Sequence, residues 1–202
     1  MKAGVLALQG DFEAHAKRLR GLGAAVIYVK KLSELSAVDG LALPGGESTA
    51  MLKLLEPNFI EALIERGRAG MPILATCAGV ILLARKVTNP AQRSLDLLDI
   101  DVERNAYGRQ VDSFVDGTIK FTMAGKSALD SLGQGAVPSR DSIEGVFIRA
   151  PRIIRTGPEV EVLAEHAGAP VLVRSKNILA ATFHPELSFG AESVHQLFIN
   201  SL

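Results

Sequence analysis

The stretch that decides the fold is MPILATCAGVILLA, residues Met71–Ala84. A proline precedes a short apolar run, the turn Thr76–Gly79 follows, and the chain then continues with apolar Val80–Ala84. This pattern predicts a buried strand, a sharp turn and the start of an apolar helix. Cys77, the single cysteine of the chain, lies on that turn. The segment resembles a nucleophile elbow, in which a strained strand-to-helix turn holds a nucleophile above the end of a sheet.

Two interpretations of Cys77 are open on this segment alone. The small residues Ala75 and Gly79 flank it where a strand and a helix approach closely. At a helix N-terminus, backbone N–H groups and the helix dipole favour the reactive thiolate. Most free cysteines, however, are small buried hydrophobic residues. The rest of the chain has to decide between a nucleophile and a core residue.

The composition predicts one globular domain over residues 1–202. Apolar residues make up 48% of the chain and charged residues 22%, as in soluble globular proteins. Basic and acidic residues balance at 22 each, which argues against a surface for nucleic acid or an anionic membrane. A lone cysteine cannot form an internal disulfide, and the apolar N-terminal run is too short for a signal peptide. We therefore expect a cytoplasmic protein.

The first third of the chain alternates strands and helices. We expect this βαβαβ pattern to form a doubly wound α/β sheet that is mixed but mainly parallel and is flanked by helices. Asp11 is expected to cap the first helix, and Ser48 or Thr49 the third. The predicted elements are strands Lys2–Leu8, Ala25–Val29 and Gly40–Leu43, and helices Phe12–Leu22, Leu32–Ala37, Ala50–Leu55 and Asn58–Ala69.

The second half is expected to be richer in strands and more irregular. Ala124–Glu144 is rich in Gly, Ser and Asp, which favours irregular structure, and Lys86–Leu95 is expected to be a surface loop. The remaining predicted elements are strands Leu98–Arg104, Val115–Met123, Val146–Pro151, Glu159–Ala167, Pro170–Ser175 and Asn177–Thr182, and a final helix Glu192–Leu202.

The loop Pro44–Thr49 reads PGGEST and follows the third predicted strand directly. Its two glycines, Gly45 and Gly46, permit unusual backbone conformations and leave amides uncovered. The loop is either an ordinary tight turn or a set of backbone donors at the carboxyl end of a strand, where open α/β sheets bind ligands. Its closeness to the predicted elbow favours the second interpretation.

An imidazole and a carboxylate lie two residues apart in the stretch FHPE, Phe183–Glu186, near the end of the chain. On an extended chain His184 and Glu186 point the same way, and Pro185 biases His184 towards that conformation. Such a carboxylate can orient the imidazole and leave its other nitrogen as a base for Cys77. The alternative is a loop histidine with an incidental acidic neighbour.

The other three histidines, His15, His166 and His195, lack such a partner two residues on. His15 and His195 lie on predicted helices, and we expect them to be structural or exposed. No pair of histidines with further acidic residues suggests a metal site.

A cysteine elbow followed by a late His-Pro-Glu resembles the class I, triad-type glutamine amidotransferases, whose fold is flavodoxin-like. Many members have glycine two residues before the cysteine, where this chain has Ala75. The match narrows to the glutaminase subunits of pyridoxal 5′-phosphate synthase. It is carried by GVLALQGDF at Gly4–Phe12, PGGEST at Pro44–Thr49, TCAG at Thr76–Gly79, ERNAYGRQ at Glu103–Gln110, FIRAP at Phe147–Pro151 and FHPE at Phe183–Glu186.

The resemblance implies a hydrolysis of L-glutamine to L-glutamate and ammonia through a glutamyl thioester. By motif match, Cys77 is the nucleophile, His184 the acid and base, and Glu186 the orienting carboxylate. The backbone amides of Gly46 and Ala78 are implied to form the oxyanion hole. The positions implied to hold glutamine are Gly46, Glu47, Ser48, Arg104, Ile148 and Arg149; without the resemblance, surface salt bridges would be the preferred interpretation of the charged ones.

The resemblance also implies a partner. Family members pass ammonia to a synthase subunit with a (β/α)8 barrel, in a large hetero-oligomer with a synthase core and peripheral glutaminases. Gln9 matches a position near that interface that is linked to completing the oxyanion hole. No cofactor or metal is implied for this chain.

Two alternatives remain at this point. One is the glutaminase subunit of a different amidotransferase, against which the stretches QGDF and NAYGRQ argue. The other is a nonhydrolytic binding or stress-response protein with an oxidisable cysteine, which would not need the oriented base His184.

Overall fold

The computed structural model describes residues 1–106, 113–133 and 141–202. The helices are α1 (Phe12–Gly21), α2 (Leu32–Leu35), α3 (Ser48–Leu54), α4 (Pro57–Arg68), α5 (Ala78–Leu83), α6 (Met123–Asp130) and α7 (Glu192–Ile199). The strands are β1 (Lys2–Leu6), β2 (Ala25–Val29), β3 (Gly40–Leu43), β4 (Ile73–Thr76), β5 (Ala84–Thr88), β6 (Leu98–Glu103), β7 (Phe114–Phe121), β8 (Ser142–Phe147), β9 (Arg152–Thr156), β10 (Glu161–His166), β11 (Ala169–Ser175) and β12 (Ile178–Ala181).

The main sheet of the described residues has nine strands in the order β2-β1-β3-β4-β12-β11-β10-β7-β8. The first five strands in this order run parallel, and from β12 onwards each strand is antiparallel to the next. Strands β5, β6 and β9 form a separate three-stranded sheet. The predicted α/β architecture with a mixed, helix-flanked sheet is confirmed.

The parallel strands are buried because both faces of the sheet are covered. Strands β3 and β4 are buried at every residue, which explains their continuously apolar sequences. Alternate residues enter different cores: Leu43 and Ile73 pack in one core with Leu63 of α4, while Leu74 packs in the other with Leu19 of α1. This two-sided burial is what a doubly wound sheet requires.

The elbow between β4 and α5 forms where the sequence predicts it. Cys77 links the two elements with φ 46° and ψ −103°, in the positive-φ region that is strained for a side chain other than glycine. Two residues on, a Cβ on Gly79 would lie 2.4 Å from the backbone oxygen of Leu43. Glycine at this position therefore lets α5 pack directly against the end of β3.

The structure differs from the sequence-based expectations in the second half of the chain. The segment expected to be irregular, Ala124–Glu144, contains most of α6 and the start of β8, so that expectation was wrong for its described residues. A Cβ on Gly125 would lie 2.0 Å from the Leu163 backbone oxygen, so this glycine serves the packing of α6 on β10 rather than a loop. The expected loop Lys86–Leu95 begins inside β5, and β9 was missed.

The helix caps also differ from the expectations. Asp11 precedes α1 but makes no side-chain capping hydrogen bond. Helix α3 begins at Ser48 and is capped by Glu47, whose carboxylate accepts from the backbone N–H groups of Thr49 and Ala50. Ser48 and Thr49 were therefore wrong as predicted caps, because Glu47 before them supplies a longer acceptor. Asp11 occupies the predicted N-cap position of α1, but without the expected side-chain hydrogen bond.

In the part of the chain that the structure describes, no helix has both the length and the apolar character needed to cross a bilayer.

The packing of Gly79 yields a stability prediction. We expect Gly79→Ala to lower the free energy of unfolding by about 1–3 kcal/mol, because the new methyl group has to displace the backbone of β3. Urea unfolding monitored by circular dichroism measures this. The control is Gly21→Ala at the exposed end of α1, where a Cβ would meet nothing within 4 Å and should be neutral or stabilising. Equal effects of the two substitutions would contradict this account of the elbow.

Candidate active site

The candidate site is a cleft of about 490 Å³ at the carboxyl ends of the parallel strands. Four successive strands of the sheet, β1, β3, β4 and β12, each lead into it. Parallel strands place their carboxyl ends at the same edge of a sheet, which is where open α/β sheets bind ligands. The residues that reach the cleft from these strand ends include Gln9, Gly46, Cys77 and His184.

Cys77 is held firmly at this edge. Its backbone N–H donates to the carbonyl of Ala181 in β12 at 2.9 Å, which extends the β4–β12 pairing to the elbow itself. Its sulfur lies 3.8 Å from the carbonyl oxygen of Ile148, and the residue is 5% exposed. Cys77 is thus buried but opens into the cleft, as a nucleophile shielded from water would be.

His184 and Glu186 form the pair that the sequence predicts. The Nδ1 atom of His184 lies 2.7 Å from Oε1 of Glu186, and both side chains are buried. The local geometry differs from the expected extended chain, because Pro185–Leu187 forms a 3₁₀ turn. Glu186 engages Nδ1, which leaves Nε2 of the ring available to Cys77.

The electrostatics of this pair favour the ionised forms. Burial alone lowers the pKa of His184, but hydrogen bonds and charges of Cys77 and Glu186 outweigh it and raise this pKa well above 6.5. Burial alone raises the pKa of Glu186, but interactions with His15 and His184 hold it well below 4.5. An imidazolium beside Cys77 favours the thiolate, which is the attacking form of a cysteine.

Two histidines that we expected to be merely structural or exposed lie directly behind Glu186. His15 on α1 is fully buried, with Nε2 3.0 Å from Oγ1 of Thr76 and 3.3 Å from Oε2 of Glu186. Its Nδ1 lies 3.0 Å from Nε2 of His195 on α7. His15 shares the apolar face of α1 with Ala16 and Leu19, and a buried imidazole needs polar partners. The position of His15 on this apolar face was the one sequence signal for such partners.

The Gly45-Gly46 loop is packed between the first strand end and His184. A Cβ on Gly45 would lie 2.3 Å from Cε1 of His184, and one on Gly46 would lie 2.4 Å from Nε2 of Gln9. Gly46 has φ 146°, a conformation that side chains rarely adopt. The Gly45 carbonyl accepts from the N–H of Asp11 at 3.3 Å, which in a trans peptide turns the Gly46 N–H away from Asp11.

Gln9 and Arg104 both contact Glu47 at the rim. Oε1 of Gln9 accepts from the backbone N–H of Glu47 at 2.9 Å, so Gln9 supports the glycine loop from below. Arg104 lies 3.3 Å from both Oε1 of Glu47 and Oγ1 of Thr49, and its side chain is 14% exposed. These contacts place two opposite charges beside the cleft.

The remaining residues expected to hold glutamine also line the cleft. Ser48 donates to Oε1 of Gln92 at 2.8 Å, a contact that sequence reasoning missed. Ile148 presents its carbonyl to Cys77, and Arg149 follows with φ 46°. Within the stretch Glu103–Gln110, residues 107–110 lie outside the described residues.

Among the described residues, the side chains of Asp11, His184 and Glu186 bring potential metal-ligand atoms within 4.8 Å of one another. His184 and Glu186 are already joined by their hydrogen bond, and Asp11 lies 3.6 Å from the same His184 nitrogen. The donor set is therefore engaged internally, as an acid–base pair would be.

Comparison with known proteins gives consistent results. The model of the SNO glutamine amidotransferase family matches residues 5–202. The chain is 50% identical over 200 residues to pyridoxal 5′-phosphate synthase subunit PdxT of Thermotoga neapolitana, covering 98% of each chain. It is 48% identical to the PdxT subunit of Koribacter versatilis, covering 98% of this chain and 94% of the relative. A solved glutamine amidotransferase superposes with a TM-score of 0.83 at 40% identity, covering 98% and 97%.

The shifted pKa values predict how stability depends on pH. The depressed pKa of Glu186 stabilises the fold above its unfolded value of 4.5, and this contribution is lost as the pH falls through the folded pKa. The raised pKa of His184 stabilises the fold below 6.5, and this contribution is lost as the pH rises through the folded pKa. Between pH 4.5 and pH 6.5, Glu186 and His184 therefore both contribute their full stabilisation.

We therefore expect Glu186→Gln to cost about 1.5–3 kcal/mol of unfolding free energy near pH 5.5, because a charged, buried hydrogen bond is lost. The difference from the wild type should shrink as the pH approaches about 3. Urea unfolding at several pH values measures it, with the exposed Glu61→Gln on α4 as control. A difference that does not change with pH would rule out the depressed pKa of Glu186.

Proposed function

The chain belongs to the SNO glutamine amidotransferase family, and from this membership we propose that it is the glutaminase subunit of a pyridoxal 5′-phosphate synthase. It hydrolyses L-glutamine to L-glutamate and ammonia, and residues 1–202 act as a single glutaminase domain. The observation that carries the proposal is the meeting of Cys77, on a strained elbow, with His184 in one cleft, where Glu186 holds the His184 ring from behind.

The proposed reaction begins with attack of the Cys77 thiolate on the side-chain amide carbon of glutamine. His184 protonates the leaving nitrogen, so ammonia departs as the tetrahedral intermediate collapses to a glutamyl thioester. His184 then takes a proton from water, which attacks the thioester and releases glutamate and the thiolate. Glu186 holds the ring by Nδ1 and stabilises its charged form in both halves of the reaction.

The tetrahedral intermediates carry a negative oxygen that needs donors. We assign this role to the backbone N–H groups of Gly46, which lines the cleft, and of Ala78, which directly follows Cys77 at the start of α5. Removing one such donor typically costs about a hundred- to a thousandfold in rate. Gln9 packs against Gly46, which fits a role in setting the loop for catalysis when the partner docks.

Glutamine is proposed to lie along Gly46, Glu47 and Ser48 on one side of the cleft and Ile148 and Arg149 on the other. Arg104 completes this set, because a guanidinium pairs with an α-carboxylate in a fixed fork geometry. Its present contact with Glu47 keeps the guanidinium oriented at the rim.

The ammonia goes to a synthase subunit that uses it to make pyridoxal 5′-phosphate. The relatives' name, a synthase subunit, supports a partner of this kind. We further propose that this partner is a (β/α)8 barrel in a hetero-oligomer with peripheral glutaminases, and that the assembly is cytoplasmic. Free ammonia is mostly protonated in water at neutral pH, so a shielded route between the subunits is expected.

We expect the purified chain to release ammonia from glutamine, to be stimulated by the synthase subunit of its own organism, and to lose this activity in Cys77→Ala and His184→Asn. Glutamate formation is the measurement. His166→Asn, at a histidine paired with Asp116 away from the cleft, is the control that should retain activity.

Supplying glutamine with a ¹⁵N side chain in the presence of unlabelled ammonium tests the transfer. Label retained in the pyridoxal phosphate supports the shielded route. Absence of turnover with a competent synthase would contradict the proposal, and turnover indifferent to the synthase would favour a different amidotransferase.

Arg104 gives a separate prediction about binding. Arg104→Gln should raise KM for glutamine about 10- to 100-fold with kcat changed little, because a charged hydrogen bond to the substrate is lost in ground and transition states alike. Arg85→Gln, which removes an exposed ion pair with Asp99, is the control. A fall in kcat at unchanged KM would show that Arg104 does not hold the substrate.

A further inference from the structure

A buried chain of polar groups continues behind the carboxylate of Glu186. Oε1 of Glu186 engages His184, and its other oxygen, Oε2, lies 3.3 Å from Nε2 of His15. Oε2 has no hydrogen bond of good geometry among the described residues, so its contact with His15 is a close electrostatic one. His15 in turn contacts His195 at 3.0 Å, and both rings are fully buried. The mechanism above uses neither histidine.

His15 also connects the acid side of the site to the nucleophile side. Its Nε2 lies 3.0 Å from the hydroxyl of Thr76, the residue directly before Cys77. One ring on α1 therefore contacts the end of β4 and the 3₁₀ turn that carries Glu186. A displacement of His15 would therefore shift Glu186 and Cys77 relative to each other.

The proton positions in this chain follow from which nitrogens have partners. Burial lowers the pKa of His195 to about 3, so its ring is neutral at neutral pH and carries one proton. Nδ1 of His195 is buried without a partner among the described residues, whereas Nε2 faces His15. A proton on Nδ1 would be an unsatisfied buried donor, so it resides on Nε2 and is donated to Nδ1 of His15.

This assignment determines the state of His15. Because Nδ1 of His15 accepts from His195, a proton of the His15 ring is on Nε2, which lies 3.0 Å from Oγ1 of Thr76 and 3.3 Å from Oε2 of Glu186. A lone pair at Nε2 would instead face the Glu186 carboxylate and repel it. The second histidine thus sets the tautomer that the first one needs.

We propose that His15 is a positioning residue for the proposed glutaminase: its Nε2–H keeps Glu186 ionised and aimed at His184, and His195 holds His15 in the required tautomer. The inference rests on the proposed function only for its predicted effect on kcat. The titratable and charged groups that face this network are Asp11, Arg18, Cys77, His184, Glu186 and His195; Arg18 donates to the backbone carbonyl of Glu186 at 3.1 Å.

A pair of polar substitutions separates the donor function from the space that the ring fills. In His15→Gln the amide nitrogen can reach the position of Nε2 and place an N–H beside Oε2 of Glu186. In His15→Asn the shorter amide reaches only the Nδ1 position, next to His195. We expect His15→Asn to lower kcat about 10- to 100-fold with KM within about twofold, because the buried oxygen Oε2 of Glu186 loses the N–H that lies beside it. His15→Gln should retain kcat to within about threefold, both assayed with the synthase subunit present.

A second readout does not depend on turnover. The rate of Cys77 alkylation by iodoacetamide against pH reports the thiolate paired with His184. Without the N–H beside it, the negative charge of Glu186 is less stable, and Glu186 then stabilises the imidazolium of His184 less. We therefore expect the acid limb of the alkylation profile to shift to higher pH by about one unit in His15→Asn and to stay in place in His15→Gln. Leu19→Ala, equally buried on α1, is the control: it should lower stability and leave kcat and the alkylation profile unchanged.

The outcomes are distinct. Equal kcat and equal alkylation profiles for His15→Asn and His15→Gln would overturn the inference. If the wild-type protein is alkylated at low pH but does not hydrolyse glutamine, the proposed function is refuted. The alkylation profiles of the two variants then test the inference alone. If neither variant folds, ¹⁵N NMR of ring-labelled histidine in the wild type decides: protonated Nε2 in both His15 and His195 supports the inference, and an unprotonated Nε2 in His15 overturns it.

Discussion

The structure depends on the requirement that a buried charge be paired. Glu186 is buried directly behind His184 of the candidate site, where an unpaired carboxylate would be very costly. The 2.7 Å contact with His184 satisfies one oxygen, and His15 approaches the other. His15 lies on α1, and His184 directly precedes the 3₁₀ turn that contains Glu186. The pairing of Glu186 therefore also determines how these elements pack around the end of β4.

The sheet makes this pairing possible. Adjacent parallel strands deliver the glycine loop, Cys77 and His184 to one edge, although these residues are far apart in sequence. The N–H of Cys77 bonds to the end of β12, so the strand that leads to His184 is also the one that aligns the elbow. The strained φ of Cys77 is tolerated because the tight contact of Gly79 with β3 and the pairing with β12 both hold the turn.

Much of this arrangement could be predicted from the sequence. The apolar runs identified the buried strands, and a lone cysteine on a turn with a late His-Pro-Glu identified the residues that meet in the cleft. The role of His15 could not, because an imidazole on an apolar helix face has the same pattern whether it fills space or supports a carboxylate. Its partners Thr76 and His195 lie 61 and 180 residues away, and only the fold brings them together. Helix α6 was missed for a related reason: Gly125 weakens the local helix signal but is needed for contact with β10.

The central claim is that Cys77 forms a covalent bond to the glutamyl group of glutamine with the help of His184 and Glu186. Acid quenching of the enzyme during turnover, followed by proteolysis and mass spectrometry, tests it directly. The account predicts one glutamyl group on the peptide that contains Cys77. Steady production of glutamate with an adduct on another residue, or with none in a quench fast enough to trap a thioester, would contradict it.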